Sequence, residues 1–486
     1  DIENDELAMI GKWIWLDPRT GSGRDQTNPP TYICKTVGGT TTHYAAAHIR
    51  FLAHEFKTRS VYGPIKGTTL MDWPLDLEEM LPYYGRAEYF TGTSGPWPRP
   101  MPPVPWNTNS LIMKMGAEKM GWKVHQGQMA INSIPFDGRP MCIQAGFCMQ
   151  GCRTRAHWST LYADIPKAEA TGMCEVRPNC MAFRINLDAN GLAKSVTYFD
   201  PEKKEQEQMA RIVVMSGNSI ENPRLCLMSA SSLFPDGLAN SSGQVGRNYM
   251  RHLTAASFVQ YNKPVHYYKG IQMAGIVTEF ADNDPKRGYV GGFQLEKLGL
   301  GPVFSTGCQA TWGDTPAERL APWGRSFMEF MENYICLAGN WIIGEDMPQE
   351  TNRVTLDPQV KDQYGLPVAH IHFDDHENDK AMRRFAWARS EEMYKAAAEV
   401  GGAKVIQVAH RGPYSATHNL GTMRMGDDPK TSVLNAYGQC HDVKNLFACD
   451  GSVFTTGGGE NPTLTIVALA MREADYIADQ AMKGNL

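Results

Sequence analysis

Three consecutive glycines, Gly457 to Gly459, run into Glu460-Asn461-Pro462 and then a long amphipathic segment, and this stretch constrains the chain more than any other. Glycine lets a backbone pass close to something flat or charged, because no Cβ stands in the way. Asn461 suits a cap position and Pro462 a first helical position, so a helix is expected to begin here. Leu464, Val467, Met471, Ala474 and Ala478 recur at three-to-four spacing and predict its buried face, with Arg472, Glu473 and Asp475 mostly elsewhere. The open N–H groups of a helix start favour negative charge, so the construction can stabilise charge on a reduced ring. His418 and Asn461 flank it. The combination reads as a redox site.

At 486 residues the chain can bury a sizeable core and suggests two or three domains. A net charge of −5 with no long basic run argues against nucleic acid as the main ligand. No run of about eighteen apolar residues occurs, so a membrane span is not expected. The opening DIENDELAMI has no charged-then-apolar leader, so no signal peptide is expected. Eleven cysteines, an odd count in a long chain, disfavour a full disulfide framework. Their spacing matters more. Cys142, Cys148 and Cys152 form a C-x5-C-x3-C arrangement interleaved with Gly146 and Gly151. Three thiolates so close can converge on one metal centre. Three small buried apolar residues are the plain alternative, and a zinc site completed by His157 is another.

From the front, Gly21-Ser22-Gly23 lies among Asp, Arg, Pro and Thr and reads as a loop. A G-x-G-x-x-G turn after a strand, which would hold a dinucleotide pyrophosphate, is not found near the start. VGGTTTH (Val37 to His43) offers a glycine turn with hydroxyls able to bond phosphate or ring oxygens. Residues 63–110 read as an irregular wrapping segment with a short helical pattern ending near Gly92; a second helix is expected from about Leu111 to Met120. RIVVMSGNS predicts a buried strand and turn, with the next helix carrying Pro223 in its first turn. Residues 252–350 alternate aromatic, Met and polar residues and predict an antiparallel sheet with one covered face. His370 and His372 share a strand face, best explained as a solvated strand end. A helix is expected from Glu377 to Val400, stopped by Gly401-Gly402.

Three motifs in order, His418 with Gly421-Thr422, Asp450-Gly451-Ser452, and Asn461 to Thr465, resemble the C-terminal part of the glucose–methanol–choline (GMC) flavoprotein family. The resemblance extends over nearly the whole chain. It implies an α/β fold: a Rossmann-like FAD-binding domain discontinuous in sequence (1–60, 160–250 and 414–486), a wrapping segment with a cysteine-rich loop (61–159), and an antiparallel-sheet substrate domain (251–413). Family members carry the dinucleotide fingerprint a few tens of residues before the equivalent of this start, so the front is expected to be truncated. The matching cofactor-binding positions are Val37, Gly38, Gly39, Thr40, Thr41, His43, Ser216, Gly217, Asp450, Gly451, Asn461, Pro462 and Thr463. His43 and Asn461 have plain alternatives, as a core histidine and as a helix cap.

The cysteine spacing resembles membrane-associated sugar and polyol dehydrogenases of this family, whose catalytic subunits hold a 3Fe-4S cluster by three cysteines. By that resemblance Cys142, Cys148 and Cys152 are the metal ligands. The implied partners are a small escort subunit, a multihaem cytochrome c or another haem or quinone acceptor, and a carbohydrate substrate. The implied location is the periplasmic face of the bacterial inner membrane. His418 is expected to act as the base that takes a hydroxyl proton while hydride passes to flavin, with Asn461 orienting the hydroxyl. Two rival expectations stand beside this one: an alcohol oxidase using oxygen with structural or zinc-bound cysteines, and a flavin-free scaffold.

Overall fold

The computed structural model describes residues 11–17, 22–26, 33–96, 98–299, 321, 323–412 and 417–486, the first two segments by backbone alone. The alternating residues after position 252 form the expected antiparallel sheet. Its long strands are β8 (Leu253–Tyr261), β10 (Phe293–Lys297), β11 (Leu337–Gly344) and β14 (Val405–Arg411). Two short strands, β3 (Val124–His125) and β9 (Ile276–Val277), complete the order β14-β8-β11-β10-β9-β3. One face is covered by α2 (Thr108–Lys119) and α4 (Glu377–Val400), whose Met113, Met382, Met393 and Tyr394 pack with Phe258, Phe293, Leu295 and Ile342. Burial of this apolar set is the main stabilisation of the sheet. Helix α4 has the expected bounds, and Gly401 caps it. Helix α2 starts three residues before the expected Leu111, because Asn107 accepts from the Ser110 amide and Ser110 returns a bond.

The second core lies around α1 (Leu77–Thr91) and α5 (Thr463–Met482), with Met80, Tyr84, Ala87, Leu464, Ala468 and Leu469 in contact. Asp76 caps α1 by accepting from the Glu79 amide at 3.0 Å, and Gly92 ends it in the left-handed region. Behind them β7 (Val213–Met215) and β15 (Leu446–Ala448) pair in parallel. The buried face of α5 is rotated from the expected one. Leu464, Ala468, Leu469, Arg472 and Glu473 are buried, whereas Ala474 and Ala478 are exposed. Tertiary partners pull the two charged residues inward: Arg472 binds Glu79 and the Ala436 carbonyl, and stacks over Tyr437. Helix α3 (Asn218–Met228) also begins earlier than expected, so Pro223 lies inside it rather than in its first turn.

Strands β12 (Arg353–Lys361) and β13 (Pro367–Phe373) form a third sheet with β1 (Gly11–Asp17) and β2 (Ser22–Gln26), β1 running parallel to β13. Ser22 and Gly23, expected in a loop, are therefore in a strand paired with β1. Residues 353–373 pair with the front of the chain, and β3 and α2 join the large sheet. An antiparallel meander, β4 (Met181–Leu187), β5 (Ala193–Phe199) and β6 (Glu205–Met209), lies to one side. No helix among the described residues is long and apolar enough to cross a membrane.

Candidate active site

The glycine-rich loop before α5 threads between the two cores and follows β10 residue by residue. A Cβ on Gly459 would stand 3.1 Å from the Gly292 carbonyl; Glu460 accepts from the Gln294 amide at 2.7 Å; Asn461 bonds the Glu296 carboxyl. Alternate residues of a strand share a face, so Gly292, Gln294 and Glu296 all meet the loop while Phe293 and Leu295 enter the core. Gly458 is required where it stands: its φ is +68°, and a Cβ there would lie 2.6 Å from the Phe51 ring. Upstream, Thr456 accepts from the Trp73 indole at 2.7 Å, and the Gly459 amide donates to Glu55.

This seam is rich in enclosed acids. Burial pushes Glu296 up to about 8, and burial with repulsion from Glu55 pushes Glu345 up to about 8. Glu55 and Glu460 face each other and both are raised, by burial first and by mutual repulsion for Glu55. Asn461 Oδ1, Glu460 Oε2, Gln294 Oε1 and Glu296 Oε1 are buried with no hydrogen-bond partner. Such a set of unpaired acceptors fits a polyhydroxyl ligand or a cofactor edge, which would supply the missing donors. Helix α5 begins without a side-chain cap, which leaves its first amides for an anionic group. With the glycine run, these residues fit a flavin ring.

His418 is half-buried and its Nδ1 lies 3.0 Å from Nδ1 of His252, whose Nε2 is 2.7 Å from the Gly457 carbonyl. The loop that carries Asn461 is thereby tied to the histidine expected as base. Burial, then the neighbouring His252, holds His418 well below the usual histidine range; burial lowers His252 to about 4. Both rings are neutral near pH 7.

The other expected cofactor positions are spread over two neighbouring surfaces. Gly38 and Gly39 open a short turn in which Thr41 bonds Ser159 at 3.1 Å and Thr160 bonds the Gly38 carbonyl at 3.0 Å. A Cβ on Gly38 (φ +92°) would stand 2.7 Å from that of Leu161. Val37, Thr40 and Thr41 are half-buried there, and His43 bonds the Met149 carbonyl at 3.2 Å, joining the turn to the cysteine-rich loop. Ser216 and Gly217 are exposed. Asp450 accepts from the Ser452 and Asn218 amides at 2.8 and 2.7 Å and from Asn222 at 2.8 Å, with Gly451 buried beside it. Helix α5 opens at Thr463 with Pro462 in the cap position, one residue later than expected, so Asn461 is not the cap and its side chain turns to Glu296 instead.

Cys142, Cys148 and Cys152 lie close enough for charge on Cys142 or Cys152 to raise Cys148, which burial mainly pushes up to about 12. That is a thiolate donor set in chemistry. It is not assembled as one: among the described residues, no group of three or more His, Cys, Asp or Glu is arranged to hold a metal. Burial keeps the Cys148 thiol protonated, whereas a metal binds the thiolate. His157 does not complete a zinc set, because one ring nitrogen faces the Tyr44 carbonyl at 2.9 Å and the other the Tyr162 hydroxyl at 3.3 Å. Cys174 is exposed.

His252, Gln294 and Glu296 belong to the site but do not stand out in sequence, whereas Glu460 was visible as part of the glycine-rich run. Polar residues at alternate positions of FQLEK were the available signal for two of them.

Residues 19–254 and 348–470 match the N-terminal and C-terminal parts of the GMC oxidoreductase family. The 2-methyl-1,2-propanediol dehydrogenase of Mycolicibacterium austroafricanum is 36% identical over 92% of this chain and 81% of its own. The fructose dehydrogenase large subunit of Gluconobacter japonicus is 30% identical over 95% of this chain and 84% of its own. A variant of Aspergillus oryzae RIB40 formate oxidase shares the fold, with a TM-score of 0.64 at 13% identity over 98% of this chain and 89% of its own. The chain belongs to the GMC oxidoreductase family. It is an FAD-dependent oxidoreductase acting on CH–OH donors.

Proposed function

We propose that this chain is the catalytic subunit of a dehydrogenase that oxidises a hydroxyl of a sugar, polyol, sugar acid or glycoside. The observation that carries the reading is the neutral, half-buried His418 tied through His252 to the loop bearing Asn461. His418 takes the hydroxyl proton, and Asn461 with Glu296 orients the hydroxyl. Bound FAD supplies the hydride acceptor. The unpaired acceptors of Gln294, Glu296 and Glu460 favour a substrate with several hydroxyl donors.

For the onward electrons we propose that Cys142, Cys148 and Cys152 would hold a 3Fe-4S cluster, which would supply single-electron chemistry toward a cytochrome or quinone. The supporting contact is His43 to Met149, which joins the turn proposed beside the flavin to the cysteine loop. In this reading a small escort subunit and a multihaem cytochrome hold the chain at the periplasmic face of the inner membrane; the Gluconobacter japonicus relative, itself a large subunit, supports such an assembly.

The test is an absorption spectrum of the purified protein with iron, sulfide and zinc analysis, followed by anaerobic titration with sugars and polyols. Flavin bands bleached by a polyol, with about three irons per chain, are expected. Flavin with zinc or no metal, and oxygen consumption on turnover, would replace the relay by an oxidase.

A further inference from the structure

We propose that His252 is a positioning residue that sets the tautomer of His418. The inference rests on His418 being the base of the reaction above. The Gly457 carbonyl can only accept a hydrogen bond. His252 Nε2, 2.7 Å away, must therefore carry the proton. His252 is almost fully buried and neutral, so its Nδ1 carries none and can only accept. His418 Nδ1, 3.0 Å from that atom, must then be the donor. A neutral imidazole holds one N–H, so Nε2 of His418 is left as a lone pair. Among the described residues, that nitrogen has no hydrogen-bond partner. The order of donation, His418 to His252 to Gly457, keeps the base ready to receive a proton from a hydroxyl. It also orients the imidazolium that forms, because the Nδ1–H bond to His252 persists when Nε2 is protonated.

A second observation points the same way. His252 adopts a left-handed backbone conformation, φ 62°, which is unfavourable for any residue with a Cβ. The preceding Arg251 amide donates to the Asp346 carboxylate at 2.8 Å, which helps hold that geometry. The two rings meet nearly perpendicular, 81° between planes, so the contact is made at the nitrogens rather than by stacking. A purely packing role requires neither the strain nor the fixed order of donors.

The experiment uses the flavin-loaded protein labelled with 15N-histidine, with His418 assigned by difference against His418→Gln. His418 is expected to show a protonated Nδ1 and an unprotonated Nε2; the opposite tautomer overturns the proposal. Rapid-mixing reduction by substrate is then compared in two variants. Gln can donate to Gly457 and accept from His418, so His252→Gln should keep the tautomer and stay within about tenfold of wild type. His252→Leu removes the acceptor and should slow flavin reduction about 10²-fold or more at unchanged flavin content. Equal rates in both variants and wild type overturn the proposal. Should the leucine variant fail to fold, the nitrogen spectra of wild type and His252→Gln decide alone. A His418→Ala protein that reduces flavin normally would instead sink the assignment of the base, whatever the tautomer.

Discussion

The hydroxyl of Thr422 donates to the carbonyl of Ser219 at 2.7 Å, and that carbonyl is the one Pro223 leaves without its helical partner. Proline lacks the amide that would have bonded back four residues. The loop carrying His418 therefore fills a defect inside α3, and Ser219 Oγ returns a bond to the Asn419 carbonyl at 2.6 Å. Thr422→Val should cost about 1–3 kcal/mol, because it strands a buried acceptor. Pro223→Ala restores an amide to the helix. In urea unfolding, the double variant is expected to lose less than the two single losses added together; strict additivity would mean the two groups are not coupled.

His418→Ala should abolish flavin reduction by substrate while flavin stays bound. The wild-type acid limb should lie below the ordinary histidine value of about 6.5. Burial and His252 hold His418 below that value, so the unprotonated base persists as pH falls through it. A kcat/KM profile with its acid limb centred at about 6.5 would contradict this assignment.

Glu296 is pushed up to about 8 by burial, so it is protonated at neutral pH and ionises beside Asn461 only above that value. Wild-type reduction should weaken above about pH 8 as a charge appears in the seam. Glu296→Gln keeps the neutral shape and should remain flat over the same range. An unchanged alkaline limb in the glutamine variant would assign the effect to another group.

Cys148→Ser should leave reduction of flavin by substrate intact and stop transfer to a cytochrome. Retained transfer at the wild-type rate would make the three cysteines structural.

Stability should fall as pH rises from about 6 to about 9. Asp346 is raised to about 7 and Glu345 to about 8, with burial the main cause, and Glu473 to about 9 by burial and then by Asp450. A raised carboxyl keeps its proton in the folded chain where the unfolded chain has lost it. The folded state then binds more protons, and stability declines with pH between the unfolded and folded values. Thermal unfolding at constant ionic strength should show a falling Tm, and Glu473→Gln should flatten the slope; a rising Tm over this range would be the opposite of the expected sign.

The parts legible in sequence are those specified locally. Helices α1 and α4 end where Gly92 and Gly401 allow, and the large sheet follows its alternating residues. The departures come from distant partners. Periodicity assigned Arg472 and Glu473 to the outside of α5, but Glu79, Tyr437 and Cys449 bring them in. Pro223 marked a helix start because a loop some two hundred residues away, which satisfies its missing bond, leaves no local trace. His418 and Asn461 were visible through their motifs. His252 was not, since a left-handed residue between a turn and a strand has no periodic signature. Glu296 was hidden for another reason: alternation showed which residues share its face, but not that the face is closed by a loop.

The pairing of β10 with that loop divides the strand into two kinds of position. Gly292, Gln294 and Glu296 look toward the site, while Phe293 and Leu295 belong to the core, so a slip of one residue would exchange the two sets. A lineage acquiring a new substrate can alter positions 294 and 296 without unpacking the sheet. Changes at 293 and 295 would be purged as misfolded before any effect on selectivity could be inherited.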